Sequence, residues 1–316
     1  MNPWSVFWRQ GHSTTFGEYF KRGYEGAVAE WWQAHVDAME PGLAVLEVGC
    51  GNCSLLPVLA KSGKADRYIG VDLASVDISG VARKELAGSA IDVVVHAETP
   101  AEKIPEADAS VDIVVSVFGV EYSDLDRSLA EIERVLKPGG RLLALLHHGE
   151  SMVTSMSRRA VSEYVEDDVD AVIGSLRTIS KARDNTPDLS QLKNNAEAEK
   201  ARATINELAG KYLGNTDPDT ANATMFELMS NALKFFKMMR QDSSTRSAFV
   251  DALTEEHRAS RDRFEQMVSV ALDDCRVREL EVKLTALGFD ATRVEVIHSH
   301  KDILAWELYT EKPLPH

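Results

Sequence analysis

Val45-Leu46-Glu47-Val48-Gly49-Cys50-Gly51-Asn52-Cys53-Ser54 is the stretch that decides the fold. An apolar strand carrying one acidic residue runs into a glycine-rich turn, and Leu55-Leu56-Pro57-Val58-Leu59-Ala60 then opens a helix. Glycine admits backbone conformations that a side chain forbids and lets the chain pass close to a ligand. The helix start offers unpaired N–H groups to an electronegative group. A dinucleotide fingerprint requires G-x-G-x-x-G, and Ser54 stands where its third glycine belongs, so that match is partial. Glu47, two residues before the first glycine, suits a cationic ligand better than a pyrophosphate.

Three further segments follow in order. Tyr68-Ile69-Gly70-Val71 reads as a second strand ending at Asp72, followed by Leu73. A carboxylate about 20 residues after the glycine turn can accept ribose hydroxyls. Ala101-Glu102-Lys103-Ile104-Pro105 precedes Ser110-Val111-Asp112-Ile113-Val114-Val115-Ser116. Leu136-Lys137-Pro138-Gly139-Gly140-Arg141-Leu142 turns into a fifth strand. Together these segments resemble the class I S-adenosylmethionine-dependent methyltransferases, over residues 40–150 and again at the C-terminal end. The resemblance implies S-adenosylmethionine as cofactor and S-adenosylhomocysteine as product. It gives Gly49, Cys50 and Gly51 the close approach to the cofactor and Glu47 its amino-acid end. Asp72 and Leu73 go to the ribose, Ala101 and Glu102 to the adenine, and Ser116 to the near end of the fourth strand. Two positions depart from the family pattern: Cys53 replaces a third glycine, and Pro100 replaces an aspartate before the Ala-Glu pair. His96, Glu98 or Glu102 could replace the lost adenine contact.

Composition narrows the function. The chain has 316 residues, 44% of them apolar, enough for one large domain or a domain with an insert. A formal charge of −15 disfavours nucleic-acid backbones as partners. Cys50, Cys53 and Cys275 make no disulfide framework, and Cys50-x-x-Cys53 lacks the second ligand pair of a zinc site, so no metal is expected. The same C-x-x-C could be a redox pair, or two residues of a turn whose shape the cofactor dictates. Neither a signal peptide nor an apolar run long enough to span a bilayer is evident. The cytoplasm is the expected location, with no membrane partner.

The fold expected is α/β: a doubly wound, mostly parallel seven-stranded sheet, Rossmann-like, with a large all-helical insert between strands five and six. Residues 1–42 form an aromatic-rich helical cap with a helix over 25–39, and Tyr19 in the preceding loop is a cofactor candidate because aromatic faces attract a sulfonium. Residues 43–150 form the cofactor-binding core, and 151–274 the helical insert or lid and substrate domain. Its helices are expected over 152–183, 196–212, 221–240 and 246–274. Residues 275–316 return to the core with a terminal hairpin.

Ligands in open α/β sheets bind outside the carboxyl ends of the strands. Glu121 and Tyr122 follow the fourth strand and His147-His148 the fifth, so these four are the candidates for acceptor binding and deprotonation. Histidine titrates near neutrality and suits that task, although a thiolate or free amine would need no base. Met225, Leu228, Met229, Ala232, Phe235, Phe236 and Met239 share one helix face, read as core or as a surface for an apolar or aromatic acceptor. Glu255-Glu256-His257 reads as a solvated face. The acidic run Glu163, Glu166, Asp167, Asp168 and Asp170 is either solvated or aimed at a basic substrate. The activity expected is methyl transfer to an O, N, S or C atom of a small molecule. The alternatives are a protein or peptide acceptor, a non-catalytic S-adenosylmethionine sensor or scaffold, and, more remotely, a dinucleotide oxidoreductase. The acceptor's identity and the oligomeric state are not legible.

Overall fold

Strand segments with apolar residues at nearly every position need both faces covered, and a parallel sheet with helices on each side meets that need. The computed structural model describes residues 2–17, 22–186, 188–217 and 219–315 and has that arrangement. Its sheet contains β1 (Leu43–Val48), β2 (Ala65–Val71), β3 (Asp92–His96), β4 (Val111–Val117), β5 (Leu136–His147), β6 (Asp290–Ser299) and β7 (Asp302–Glu311). The spatial order is β3-β2-β1-β4-β5-β7-β6. β1 to β5 are mutually parallel, whereas β7 runs antiparallel to both β5 and β6. The sheet is therefore mixed, with the reversed strand placed inside it.

Side chains alternate across the sheet with period two. On one face Leu46, Val48, Ile69, Val71, Val114 and Leu142 pack with α5 (Leu125–Val135) and α11 (Asp274–Ala286). On the other, Val45, Tyr68, Ile113, Val115 and Leu143 pack with α2 (Gly26–Asp37) and α3 (Leu56–Ser62). α4 (Gly80–Glu85) contributes Ala82 to this second face. Trp32 of α2 is 1% exposed, and its indole donates to the Leu55 carbonyl at 3.0 Å, fixing α2 to the start of α3.

Strand order reverses between β1 and β4, and there the backbones touch. A Cβ on Gly49 would lie 2.6 Å from Gly119 Cα, and one on Gly119 would lie 2.7 Å from the Val48 carbonyl. Ser116 clamps the junction: its hydroxyl donates to the Val48 carbonyl at 2.8 Å and accepts from the Val120 amide at 2.8 Å.

The chain divides into two compact units, residues 1–156 with 266–316 and residues 157–265. Between β5 and α11 the described elements are helical, among them α6 (Met152–Glu163), α7 (Glu166–Asp184), α8 (Ala196–Leu213), α9 (Ala223–Ala232) and α10 (Ser243–Val270). The expected helix over 152–183 breaks at Tyr164-Val165, where Val165 is extended and Glu166, Asp167 and Asp168 start a new helix. Acidic residues in a first turn complement the positive helix end. The expected helix over 221–240 ends at Ala232 and continues as a 3-10 turn, Leu233–Met238.

The structure bears on three of these readings. Met225, Leu228, Met229, Ala232, Phe235 and Met239 are buried in the core of the 157–265 unit, with Phe236 packed beside them, so the stripe has its partners within that unit. The acidic run is largely paired with bases: Glu163 with Arg159, Glu166 with Arg261, Asp168 with Lys211, and Asp170 with Arg258. His257 is buried and stacks on Tyr164 with ring centroids 5.0 Å apart, rather than lying on a solvated face. Among the described residues no helix is long and apolar enough to cross a membrane.

Trp32→Ala should destabilise the sheet unit by about 3–5 kcal/mol, the usual cost of deleting a buried aromatic. Urea unfolding followed by circular dichroism measures it; a loss within error of zero would show that α2 does not anchor the core.

Candidate active site

The glycine turn is knitted to the end of β2. Gly49 and Cys50 donate their amides to the Val71 carbonyl at 2.8 and 3.2 Å. Asp72 Oδ2 accepts from the Gly51 amide at 2.8 Å, and Oδ1 accepts from the Ala74 amide at 2.8 Å. Burial pushes the Asp72 carboxyl upward and these two amides pull it back. Leu73 beside it is 62% exposed.

Glu47 lies beneath the turn. It is buried, accepts from the Tyr68 hydroxyl at 2.5 Å, and burial holds its carboxyl well above the ordinary range. Cys50 also faces inward: a Cβ on Gly70 would sit 2.8 Å from its Sγ. Its amide belongs to the turn, but its side chain belongs to the core.

Two Ala-Glu pairs follow β3. Ala97 and Glu98 directly follow β3, with the Glu98 amide donating to the Ala74 carbonyl at 3.1 Å and the Thr99 amide to Asp72 O at 2.9 Å. Ala101 instead packs against the core, and Glu102 Oε1 accepts from the Asp124 amide at 2.8 Å, at the start of α5. Residues 97–100 separate Ala101 from the strand end. Ser116, expected against the cofactor, is fully buried in the β1–β4 clamp. Tyr19 lies outside the described residues.

At the ends of β4 and β5, Tyr122 and His147 come together, with the Tyr122 hydroxyl 3.1 Å from His147 Nε2. Phe118 stacks on the imidazole at 4.7 Å between centroids. His147 is buried, which lowers its pKa to about 3, so the ring is neutral near pH 7. Glu121 Oε1 accepts from the His147 amide at 3.0 Å, while Oε2 has no hydrogen-bond partner among the described residues. Burial pushes Glu121 up to about 7. His148 is turned elsewhere: its ring stacks on Trp306 at 4.4 Å and its Nδ1 accepts from the Glu150 amide at 2.9 Å. The structure thus joins three of the four catalytic candidates and gives His148 a packing role.

One element of the site escapes the sequence pattern. α1 (Pro3–Arg9) is a seven-residue helix capped by Asn2, whose side chain accepts from the Trp4 amide. Asparagine before proline at a first turn is the legible cue. Trp8 of α1 lies over the turn: a Cβ on Gly51 would be 2.4 Å from its ring. Asn52 Nδ2 donates to the Trp8 and His12 carbonyls at 3.0 and 2.8 Å. Trp4 meets Tyr122 edge-on at 5.4 Å and donates to Gln266 Oε1 at 2.9 Å. A cavity of about 310 Å³ lies beside α3 and α4, lined by Tyr24, Trp32, Ser54 and Lys61 among others, and it includes none of Gly49, Asp72, Tyr122 or His147.

Residues 46–144 match a family profile described as a methyltransferase domain. The chain is 30% identical over 138 residues to the U6 snRNA (guanine-N(2))-methyltransferase THUMPD2 of Bos taurus, covering 41% of this chain and 28% of that protein. It is 34% identical over 109 residues to the ubiquinone/menaquinone biosynthesis C-methyltransferase UbiE of Bordetella parapertussis, covering 34% of this chain and 42% of that one. The chain therefore spans less than half the length of these two relatives. Among solved structures, an S-adenosylmethionine-dependent methyltransferase from Mesorhizobium loti matches at 23% identity and a TM-score of 0.34, over 40% of this chain and 57% of that chain.

The two buried titrating groups bend stability against pH in opposite directions. Glu121, raised to about 7, binds its proton more tightly folded than unfolded, so its contribution is greatest below the ordinary carboxylate value of 4.5 and is lost as pH rises through 7. His147, lowered to about 3, contributes above the ordinary imidazole value of 6.5 and loses that contribution as pH falls toward 3. Glu121→Gln should remove a loss on the order of 3 kcal/mol between acid and neutral pH, read from urea unfolding over that range. An unchanged slope would mean that Glu121 is solvated.

Proposed function

We propose that residues 46–144, which match a methyltransferase-domain profile, form a class I S-adenosylmethionine-dependent methyltransferase domain and that the chain acts on a small-molecule acceptor. One observation carries the reading most. The Gly49–Gly51 turn, Asp72 and the Tyr122–His147 pair sit at the carboxyl ends of β1, β2, β4 and β5, around the reversal of strand order where ligands bind in such sheets. Gly51 lets a neighbour approach the turn from the side of α1, where the Trp8 ring now lies at a distance a Cβ would forbid, and that side is the one proposed for the cofactor.

Bound S-adenosylmethionine supplies an electrophilic methyl group on sulfur. The protein's part is to orient the acceptor, exclude water and accept a proton. Tyr122 is the proposed contact to the acceptor. His147, held neutral, orients the Tyr122 hydroxyl, Phe118 stacks on its ring and Glu121 accepts from its backbone amide; Glu121, raised to about 7, is the proposed proton acceptor. Asp72 serves the ribose by exchanging one of its present amide partners, and Ala97-Glu98, rather than Ala101-Glu102, is assigned to the adenine. Trp8 lies on the cofactor side of the turn, so binding requires α1 to shift. The unit of residues 157–265 is the proposed source of acceptor selectivity. A formal charge of −15 favours a small acceptor over an RNA.

Titration calorimetry with S-adenosylhomocysteine should give micromolar binding accompanied by a change in tryptophan fluorescence as Trp8 moves. Asp72→Ala should weaken binding at least about tenfold. Tyr122→Phe should leave binding intact and lower methyl transfer to an identified acceptor by about 10²-fold. Preference for NAD over S-adenosylhomocysteine in folded wild-type protein would overturn the proposal.

A further inference from the structure

The two cysteines of the glycine turn are held in a shared geometry that cofactor binding does not require. Cys50 and Cys53 are 3% and 0% exposed, and neither is in a disulfide. Both sulfurs converge on one acceptor, the Gly51 carbonyl, at 3.5 and 4.0 Å. The Cys53 amide donates back to the Cys50 carbonyl at 2.9 Å, closing a tight turn that brings the two residues side by side. Cys53 adopts φ +62°, a left-handed conformation that a glycine would take without strain.

We infer that Cys50 and Cys53 form a dithiol site for small organic disulfides, and that closing an internal bond there locks the turn out of its ligand-binding shape. The inference rests on the reading of this turn as the cofactor site. The Cys50 thiol shares a hydrogen bond with Cys53, which draws the Cys53 thiol below its ordinary range and holds Cys50 above it. Cys53 is therefore the attacking thiolate. It displaces one sulfur of the organic disulfide and releases one thiol, leaving a mixed disulfide on Cys53. Cys50 then attacks the Cys53 sulfur, loses its proton to the second departing thiolate, and closes the internal bond. Two protein thiols are oxidised and one organic disulfide is reduced to two thiols.

A disulfide requires the sulfurs to lie about 2.05 Å apart and the Cβ atoms about 3.5–4.5 Å apart. Meeting that pulls the Cys50 sulfur off its seat against Gly70 and re-aims the peptide between the two cysteines. That peptide includes the Gly51 amide bonded to Asp72, so oxidation breaks the link between the turn and the proposed ribose acid. Trp8 covers the turn from outside, so the reagent enters when α1 lifts, and bound cofactor slows the reaction.

The test uses the full chain carrying Cys275→Ser, which removes the exposed third thiol. It is incubated with glutathione disulfide and followed by intact mass, peptide mapping and S-adenosylhomocysteine titration. Loss of two hydrogens without an adduct, a Cys50–Cys53 cross-linked peptide, and at least about tenfold weaker binding that dithiothreitol restores are the expected results. Saturating S-adenosylhomocysteine should slow the oxidation. Cys53→Gly should show the same affinity before and after treatment. Glutathione adducts with no internal bond overturn the inference, as does an internal bond that leaves affinity unchanged. If the reduced protein binds no S-adenosylhomocysteine, the cofactor reading fails and the locking effect falls with it, while the mass readout still decides the cross-link.

Discussion

The site depends on one steric constraint, the contact of two backbones where the sheet reverses its order. Gly49 and Gly119 approach so closely that a methyl group on either would collide with the other's segment. That contact sets how far the turn after β1 stands from the segment after β4, and Ser116 fixes it with two buried hydrogen bonds. The turn carries Gly51 and its bond to Asp72, while the segment after β4 carries Phe118, Glu121 and Tyr122. The groups proposed for the cofactor and for proton handling thus share one junction, and the burial that surrounds it perturbs Glu47, Glu121 and His147 together.

Much of this was legible because local chemistry marks it. Glycines and the acidic residues near strand ends punctuate β1, β2 and β4, and apolar runs between them have few alternatives to buried parallel strands. The expected helix over 25–39 corresponds to Gly26–Asp37, and the terminal hairpin to β6 and β7. Sequence placed Tyr122 and His147 at neighbouring strand ends, but their 3.1 Å contact is a property of the β4–β5 register.

What was not legible required long-range information. α1 is too short to show a helical period, and its role comes from Trp8 meeting a turn more than forty positions away. Ala101-Glu102 carries the expected motif letters, yet a second Ala-Glu pair, Ala97-Glu98, directly follows β3, and the Glu98 and Thr99 amides bond the Asp72–Ala74 loop. His148 was indistinguishable from His147 in sequence; strand alternation sends one ring toward Phe118 and the other toward Trp306. The acidic run looked available only because its basic partners lie on helices far along the chain.

The position of β7 has a consequence for how the chain is made. β7 fits between β5 and β6, and its partners on β5 run from Arg141 to His147. The whole segment of residues 157–265 is synthesised after β5 and before β7. During that interval β5 presents an unpaired, apolar edge, the kind of surface that pairs with other chains. The helical segment can bury its own core around Leu176, Ile205 and Phe235 in the meantime. The nascent protein is therefore expected to pass through a stage with one finished unit and one open sheet, and its exposure to aggregation or to chaperones is greatest then.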